Sequence, residues 1–248
     1  MLHASMLRPA ASTQAPITDW QLHFQSLADS SRDERLKHYY RRGMVSGETP
    51  LCQAPLLAMD LETTGLDPIH DGIVSIGLVP LTLDRIQASA SRYWLLKPRV
   101  DLNDDSVTIH GITHAQIAHA PDLNDILEEL LNAMAGHVIV VHYRYMERQF
   151  LNGALTPRIG ETIQFPVIDT MELEARKHNK QAAGLLARWF KPKQPNVSLR
   201  LADCRKRYGL PHYRPHDART DALACAELLQ AQVAHGYDPQ TRVGNLWV

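Results

Sequence analysis

The chain has 248 residues, 44% apolar and 21% charged, with a formal net charge of −1; it can build one sizeable core and is too ordinary in composition for global disorder. No apolar run approaches the roughly 20 residues that a membrane-spanning helix needs, and the first sixteen residues, MLHASMLRPAASTQAP, lack the apolar stretch of a secretory signal. Cys52, Cys204 and Cys225 are scattered, odd in number and without CxxC spacing, which excludes a disulfide framework or zinc knuckle and fits a reducing cytoplasm. In chain order, residues 1–15 are small, polar and proline-containing, and are expected to lack fixed structure. Ile17, Trp20, Phe24 and Leu27 recur at helical spacing, and Ser31 with Glu34 resembles a capping box opening a second helix through Leu36, Tyr39 and Tyr40 to Gly43. This arm, 1–53, is an N-terminal, mostly helical extension. It is expected to pack on the rest, or to offer a surface for a protein partner or self-association.

A second region, 54–248, alternates strands and helices. LLAMDLE (56–62), GIVSIGLVPL (72–81) and the stretch ending RYWLLKP (92–98) read as strands, and DILEELLNAM (125–134) as a helix. HVIVVH (137–142) is a buried strand by its β-branched run. Helices are expected at 144–153, 169–178, 182–190 and 198–208, with a short strand at 166–169. A last long helix at 217–235 stops at Gly236. Three meandering strands followed by α/β alternation predict a mixed sheet flanked by helices.

Asp60 and Glu62 are two apart in a strand, so their carboxylates project together from an otherwise apolar strand end. Burying like charges is costly without a cation, and hard oxygen ligands suit Mg²⁺ or Mn²⁺. Thr63, Thr64, Gly65 and Leu66 follow, a turn whose glycine lets the backbone approach a ligand closely. In HDARTD (216–221), five helical residues subtend about 140°, so one helix face cannot carry both His216 and Asp221. Pro215 places His216 on the segment leading into the helix, with Asp221 inside it. An imidazole there can take a proton from water near neutral pH. Glu147, three residues before Phe150, lies on the helix after the buried strand, and Met146 is on that helix's apolar side.

MDLETTGLDP, VVHYRYMERQFL and HDARTDALACAELL, with IHGIT (109–113) and IDTMELEARK (168–177) between them, occur in the order seen in DnaQ-like (DEDDh) 3′→5′ exonucleases. The resemblance covers roughly residues 55–235. It implies an RNase H-like fold with a mixed five-stranded sheet. It also implies a two-metal hydrolase releasing nucleoside monophosphates from single-stranded 3′ ends, DNA favoured over RNA. Asp60, Glu62 and Asp221 would then hold one metal, Asp60 would bridge to the second, and His216 would be the general base. Glu147 stands where the family has Asp, and Tyr143 where it often has Asn. Thr63, Thr64, Gly65 and Leu66 match the segment contacting the terminal nucleotide, with His110 and Met146 as further pocket residues.

Charge is unevenly spread. Residues 101–130 hold seven Asp or Glu and no Lys or Arg, while 176–207 hold ten Lys or Arg against Asp203 alone. The basic segment, with Arg200, Arg205, Lys206 and Arg207, reads either as a phosphate-neutralising patch or as a solvated helix surface, and Trp189, Phe190, Tyr208 and Tyr213 nearby read as core residues before stacking partners. The competing reading is a catalytically inactive nucleic-acid-binding or scaffold module of the same fold. A dinucleotide-binding oxidoreductase is excluded, because no GxGxxG follows the first strand.

Overall fold

The computed structural model describes residues 17–102, 104–182 and 197–248. Helices α1 (Trp20–Ser30) and α2 (Glu34–Arg41) open the described chain. Trp20, Phe24 and Ala28 form one buried stripe on α1, and Leu36, Tyr39 and Tyr40 are buried from α2. The Phe24 and Tyr40 rings meet edge-on at 5.1 Å, and the Tyr40 hydroxyl accepts from the Gln164 amide at 3.0 Å. These side chains belong to the same apolar cluster as the sheet. Burying each aromatic contributes roughly 1.5–3 kcal/mol, so the inner face of the arm is committed to the core. The second cap differs from the expected one. Asp33, not Ser31, accepts from the first-turn amides of Arg35 and Leu36, while the Ser31 hydroxyl donates back to Leu27 and closes α1. An aspartate next to the helix start outcompetes a serine already used by the preceding helix.

Strands β1 (Leu56–Thr63), β2 (Ile73–Leu81) and β3 (Arg92–Leu95) form an antiparallel meander. Helices α3 (Asp104–His110), α4 (His114–Ile117) and α5 (Leu123–Met134) follow; the first two are short and were not expected. Strand β4 (Val138–Val141) pairs parallel with β1, and α6 (Arg144–Ile159) leads to β5 (Val167–Asp169), parallel to β4. Helices α7 (Thr170–Ala182), α8 (Leu201–Arg207) and α9 (Ala218–Gly236) complete the order. Among the described residues the sheet runs β3-β2-β1-β4-β5, the expected mixed five-stranded arrangement flanked by helices. The helix expected at 182–190 lies outside the described residues. Past α9, Trp247 bridges Ile168 and the Val248 amide donates to Val167 at 2.9 Å, covering the β5 edge.

Two connections place the site. β4 runs parallel to β1, so α6 starts at the end of the sheet where β1 finishes. α9 lies on β1 and β2 with Ala218, Ala222, Ala224, Cys225 and Ala226 all buried, small enough to let the helix sit close to the sheet.

Candidate active site

The carboxyl end of β1 carries Asp60 and Glu62 on one face. Across the antiparallel ladder they pair with Gly77 and Ser75 of β2, and Gly77 in turn pairs with Tyr93 of β3. A β-carbon at Gly77 would lie 2.3 Å from the carbonyl carbon and oxygen of Ala218 and 2.5 Å from the Arg219 amide nitrogen. The bare glycine is therefore what lets the first turn of α9 rest directly on the sheet beside Asp60. Arg219 projects over the Tyr93 ring, 6.0 Å from its centroid, on the β3 side of this face.

Glu147 arrives in the first turn of α6. Its helix begins from Tyr143 in the left-handed region (φ 93°), a conformation costing about 1–3 kcal/mol for a non-glycine unless its surroundings fix it. Asp169, at the end of β5, supplies that fixing. Its carboxylate accepts from the amides of Tyr143 (3.1 Å) and Arg144 (3.0 Å) at the start of α6, and of Met171 (3.0 Å) at the start of α7. One buried acid thus starts two helices. Glu147 is 3% exposed, and its Oε2 is buried without a hydrogen-bond partner. The longer side chain in place of the family's Asp still brings its charge to bear on Asp60.

His216 and Asp221 meet at the start of α9. Asp217 caps α9 by accepting from the Thr220 amide at 2.8 Å, Asp221 sits one turn inside, and His216 precedes the helix. His216 is the second left-handed non-glycine residue (φ 71°), and its amide donates to Asp221 Oδ2 at 2.7 Å. Ligand atoms of Glu62, His216 and Asp221 all lie within 4.8 Å of one another.

These acids are held protonated-leaning by their setting. Burial, and then the charges of Asp221 and Glu62, push the Asp60 carboxyl well above the usual carboxylate range. Burial and Asp221 raise Glu62 to about 8, burial raises Asp221, and burial followed by Asp169 raises Glu147 well above its ordinary value. The amino-terminal ends of α6 and α9 offset part of this repulsion. An oxygen-rich donor set with one imidazole, an Asp60 carboxyl raised by the charges of Glu62, Glu147 and Asp221, and an orphaned buried oxygen on Glu147 fits a hard divalent cation. It does not fit a purely structural charge network.

A pH dependence follows. A carboxyl whose folded pKa is raised binds more protons folded than unfolded, so the metal-free fold loses stability as pH climbs from the unfolded value to the folded one. For Glu62 that window runs from 4.5 to about 8. The thermal midpoint in chelator should fall from pH 5.5 to 8 and level off above, with saturating Mg²⁺ or Mn²⁺ flattening the slope. A midpoint that rises over that range would contradict this account of the acids.

The turn after β1 is internally bonded. The Thr63 hydroxyl donates to the Gly65 carbonyl at 2.6 Å; that of Thr64 donates to Asp71 and accepts from the Gly72 amide, both at 3.0 Å. A side chain on Gly65 would collide with the Asp71 carboxylate. Thr64 is buried, so its role is to shape this turn, while Leu66 is exposed on it. His110, at the end of α3, accepts the Ile112 amide on Nδ1, and its Nε2 is buried without a partner. Burial, then His216, lowers its pKa, placing the two imidazoles near each other. Met146 is partly buried against the core.

The basic segment divides differently from the expectation. Arg205 is 4% exposed and donates to the Ala224 and Pro211 carbonyls and to Glu227. Arg207 pairs with Glu174 at 3.0 Å and donates to the Ser198 carbonyl. Tyr208 donates to Glu174, and Tyr213 to Glu227. Arg205 is therefore an internal cation satisfied by the fold, Arg207 is exposed but paired with Glu174, and Lys206 is exposed beside them. Trp189 and Phe190 lie outside the described residues.

Comparison with known proteins adds a family. Residues 57–229 match the family model RNase_T, described as exonuclease. The chain is 28% identical over 178 residues to the DNA polymerase III subunit epsilon of Treponema pallidum, covering 72% of this chain and 76% of that subunit. It also matches the PolC-type DNA polymerase III of Thermotoga maritima, a far longer protein of which 12% is covered. Exonuclease X in complex with 5′ overhanging duplex DNA superposes with a TM-score of 0.57 at 21% identity, covering 77% of this chain and 98% of that one. The nuclease domain of 3′hExo, a DEDDh family member bound to rAMP, gives 0.59 at 17% identity, with 73% and 92% covered. Likeness at these identities establishes a shared fold.

Proposed function

The chain belongs to the exonuclease family, and from that premise we propose that it is a divalent-metal-dependent 3′→5′ exonuclease that releases nucleoside monophosphates from single-stranded ends, DNA before RNA. The observation that carries this reading is the convergence of Glu62, His216 and Asp221 within one ion's reach, beside Asp60 on the same strand face. Asp60, Glu62 and Asp221 would hold one cation, and Glu147 would share a second with Asp60. Bound Mg²⁺ or Mn²⁺ would supply positive charge to the phosphate oxygens and acidify water.

The remaining chemistry belongs to the side chains. His216 accepts the proton as the water oxygen attacks phosphorus, and the bond to the neighbouring nucleotide's 3′ oxygen breaks, leaving a nucleoside 5′-monophosphate. Thr63, Gly65 and Leu66 would contact the terminal nucleotide on a turn that buried Thr64 shapes, with His110 and Met146 as further pocket residues. A single-stranded end suits a site in which the last nucleotide leaves its stack. The relative named as a DNA polymerase subunit supports DNA over RNA. The division into a helical extension (1–53) and an exonuclease domain (54–248) is part of the proposal, as is action in the cytoplasm. Among the described residues no helix is long and apolar enough to cross a membrane. A protein partner meeting the arm would use its outer face, where Leu22 is exposed.

Matched single-stranded DNA, duplex DNA and RNA oligomers, each labelled at the 5′ end, test the reading. The expected result is a ladder of products shortened one nucleotide at a time from the 3′ end, fastest on single-stranded DNA and abolished by chelator. Release of the labelled 5′ nucleotide first, or cleavage indifferent to chelator, would overturn it.

A further inference from the structure

His216 holds a left-handed backbone, uncommon for a non-glycine residue, so the chain on both sides of it needs fixing. After it, the amide bond to Asp221 does so. Before it, the connector from Gly209 to Pro215 runs over the surface; Pro211, His212, Arg214 and Pro215 are exposed. This connector is held from beneath by Arg205 of α8. The buried guanidinium donates to the Pro211 carbonyl at 2.9 Å, to the Ala224 carbonyl of α9 at 2.6 Å and to Glu227 Oε2 at 2.7 Å. The Tyr213 ring stacks on it at 4.6 Å, and the Tyr213 hydroxyl donates to Glu227 Oε1 at 2.8 Å. A planar cation with a fork of donors and a stacking face makes all four contacts at once, which an ammonium cannot.

We propose that Arg205, with Tyr213 and Glu227, is a positioning device for His216. It ties the connector to α9, the helix that carries Asp221, so the imidazole returns to Glu62 and Asp221 each time the site forms. Tyr213 is three residues from His216, a lever short enough for a shift at the clamp to reach the imidazole undiminished. This rests on His216 being the proton acceptor, and it gives the buried part of the basic segment a role that does not involve binding phosphate.

The test is a double-mutant cycle on the full chain with a single-stranded DNA oligomer and saturating Mn²⁺. Arg205→Lys should lower kcat by about 10- to 100-fold with KM changed less than about threefold, because misplacement of a reacting group by an ångström costs that much. In a His216→Ala background the same substitution should change kcat by less than about twofold, since the group it places is gone. Tyr213→Phe deletes one hydroxyl, leaves the core intact and should show the same pattern with a loss of about 3- to 10-fold. It carries the cycle if Arg205→Lys does not fold by circular dichroism. An equal loss in both backgrounds, or no loss from either substitution in the unmodified chain, would overturn the clamp. Full activity in His216→Ala alone would remove the base assignment, and the clamp with it; that outcome is separate because it appears before any change at Arg205.

Discussion

Asp60→Asn should lower the rate of nucleotide release by about 10³-fold, the scale on which removing one charge-stabilising group from a reacting centre is felt. It should leave the metal-free protein as stable as before or more so. The substitution keeps the shape of a side chain at the end of a strand whose preceding residues are fully buried, and it disturbs no packing. What it removes is the carboxylate that senses every other acid of the site: Asp221, Glu62, Glu147 and Asp217 all raise its pKa after burial does. With the charge gone, the repulsion on Glu62 and Asp221 relaxes, so the thermal midpoint in chelator should rise at pH 8. The increase in midpoint on adding Mg²⁺ or Mn²⁺ should shrink, because stabilisation by a ligand grows with its affinity for the folded form. Loss of activity with a lower chelated midpoint would mean that Asp60 is a structural residue. Retention of more than a tenth of the rate would remove it from the metal centre.

That opposition between stability and activity marks where the sequence is readable and where it is not. The period of two in β1 reveals that Asp60 and Glu62 share a face, and the proline before His216 reveals that the histidine stands outside the helix that holds Asp221. Both are local facts, written within seven residues of chain. Asp169 escapes because its carboxylate caps two helices at once, one beginning 25 residues earlier in the sequence; as one acid within IDTMELEARK it carries no mark of that. Arg205 escapes for the opposite reason. It sits in a run of basic residues, and a count of charges cannot distinguish a cation facing solvent from one buried against two carbonyls and a glutamate. Helices α3 and α4, of seven and four residues, are too short for apolar periodicity to register. Patterns of two, three and four residues are legible, whereas the partner of a side chain across the fold is not.

Gly77 is the sharpest case, and Gly77→Ala carries the second large expectation. In sequence it is a glycine inside a strand, unremarked between Ile76 and Leu78. In the fold it is the floor on which α9 lands, opposite Asp60. The atoms a new methyl would meet are the carbonyl carbon and oxygen of Ala218 and the amide nitrogen of Arg219. Those are backbone atoms of a helix start, with no rotamer to swing away, so the first turn of α9 must move off the sheet and take Asp221 and His216 with it. Overpacking of this kind costs about 1–3 kcal/mol, and the accompanying misplacement should lower kcat by about 10²-fold. Both are measurable by thermal melting and nucleotide release. The substitution thus lowers stability and activity together, where Asp60→Asn lowers activity alone. A second substitution separates the cause further. Ala218→Gly removes a side chain but none of the atoms in the collision, so it should not restore a Gly77→Ala protein. If the double variant recovers activity, the obstruction is the Ala218 methyl group, and the seat of α9 is set by side-chain packing instead of by the bare backbone at Gly77.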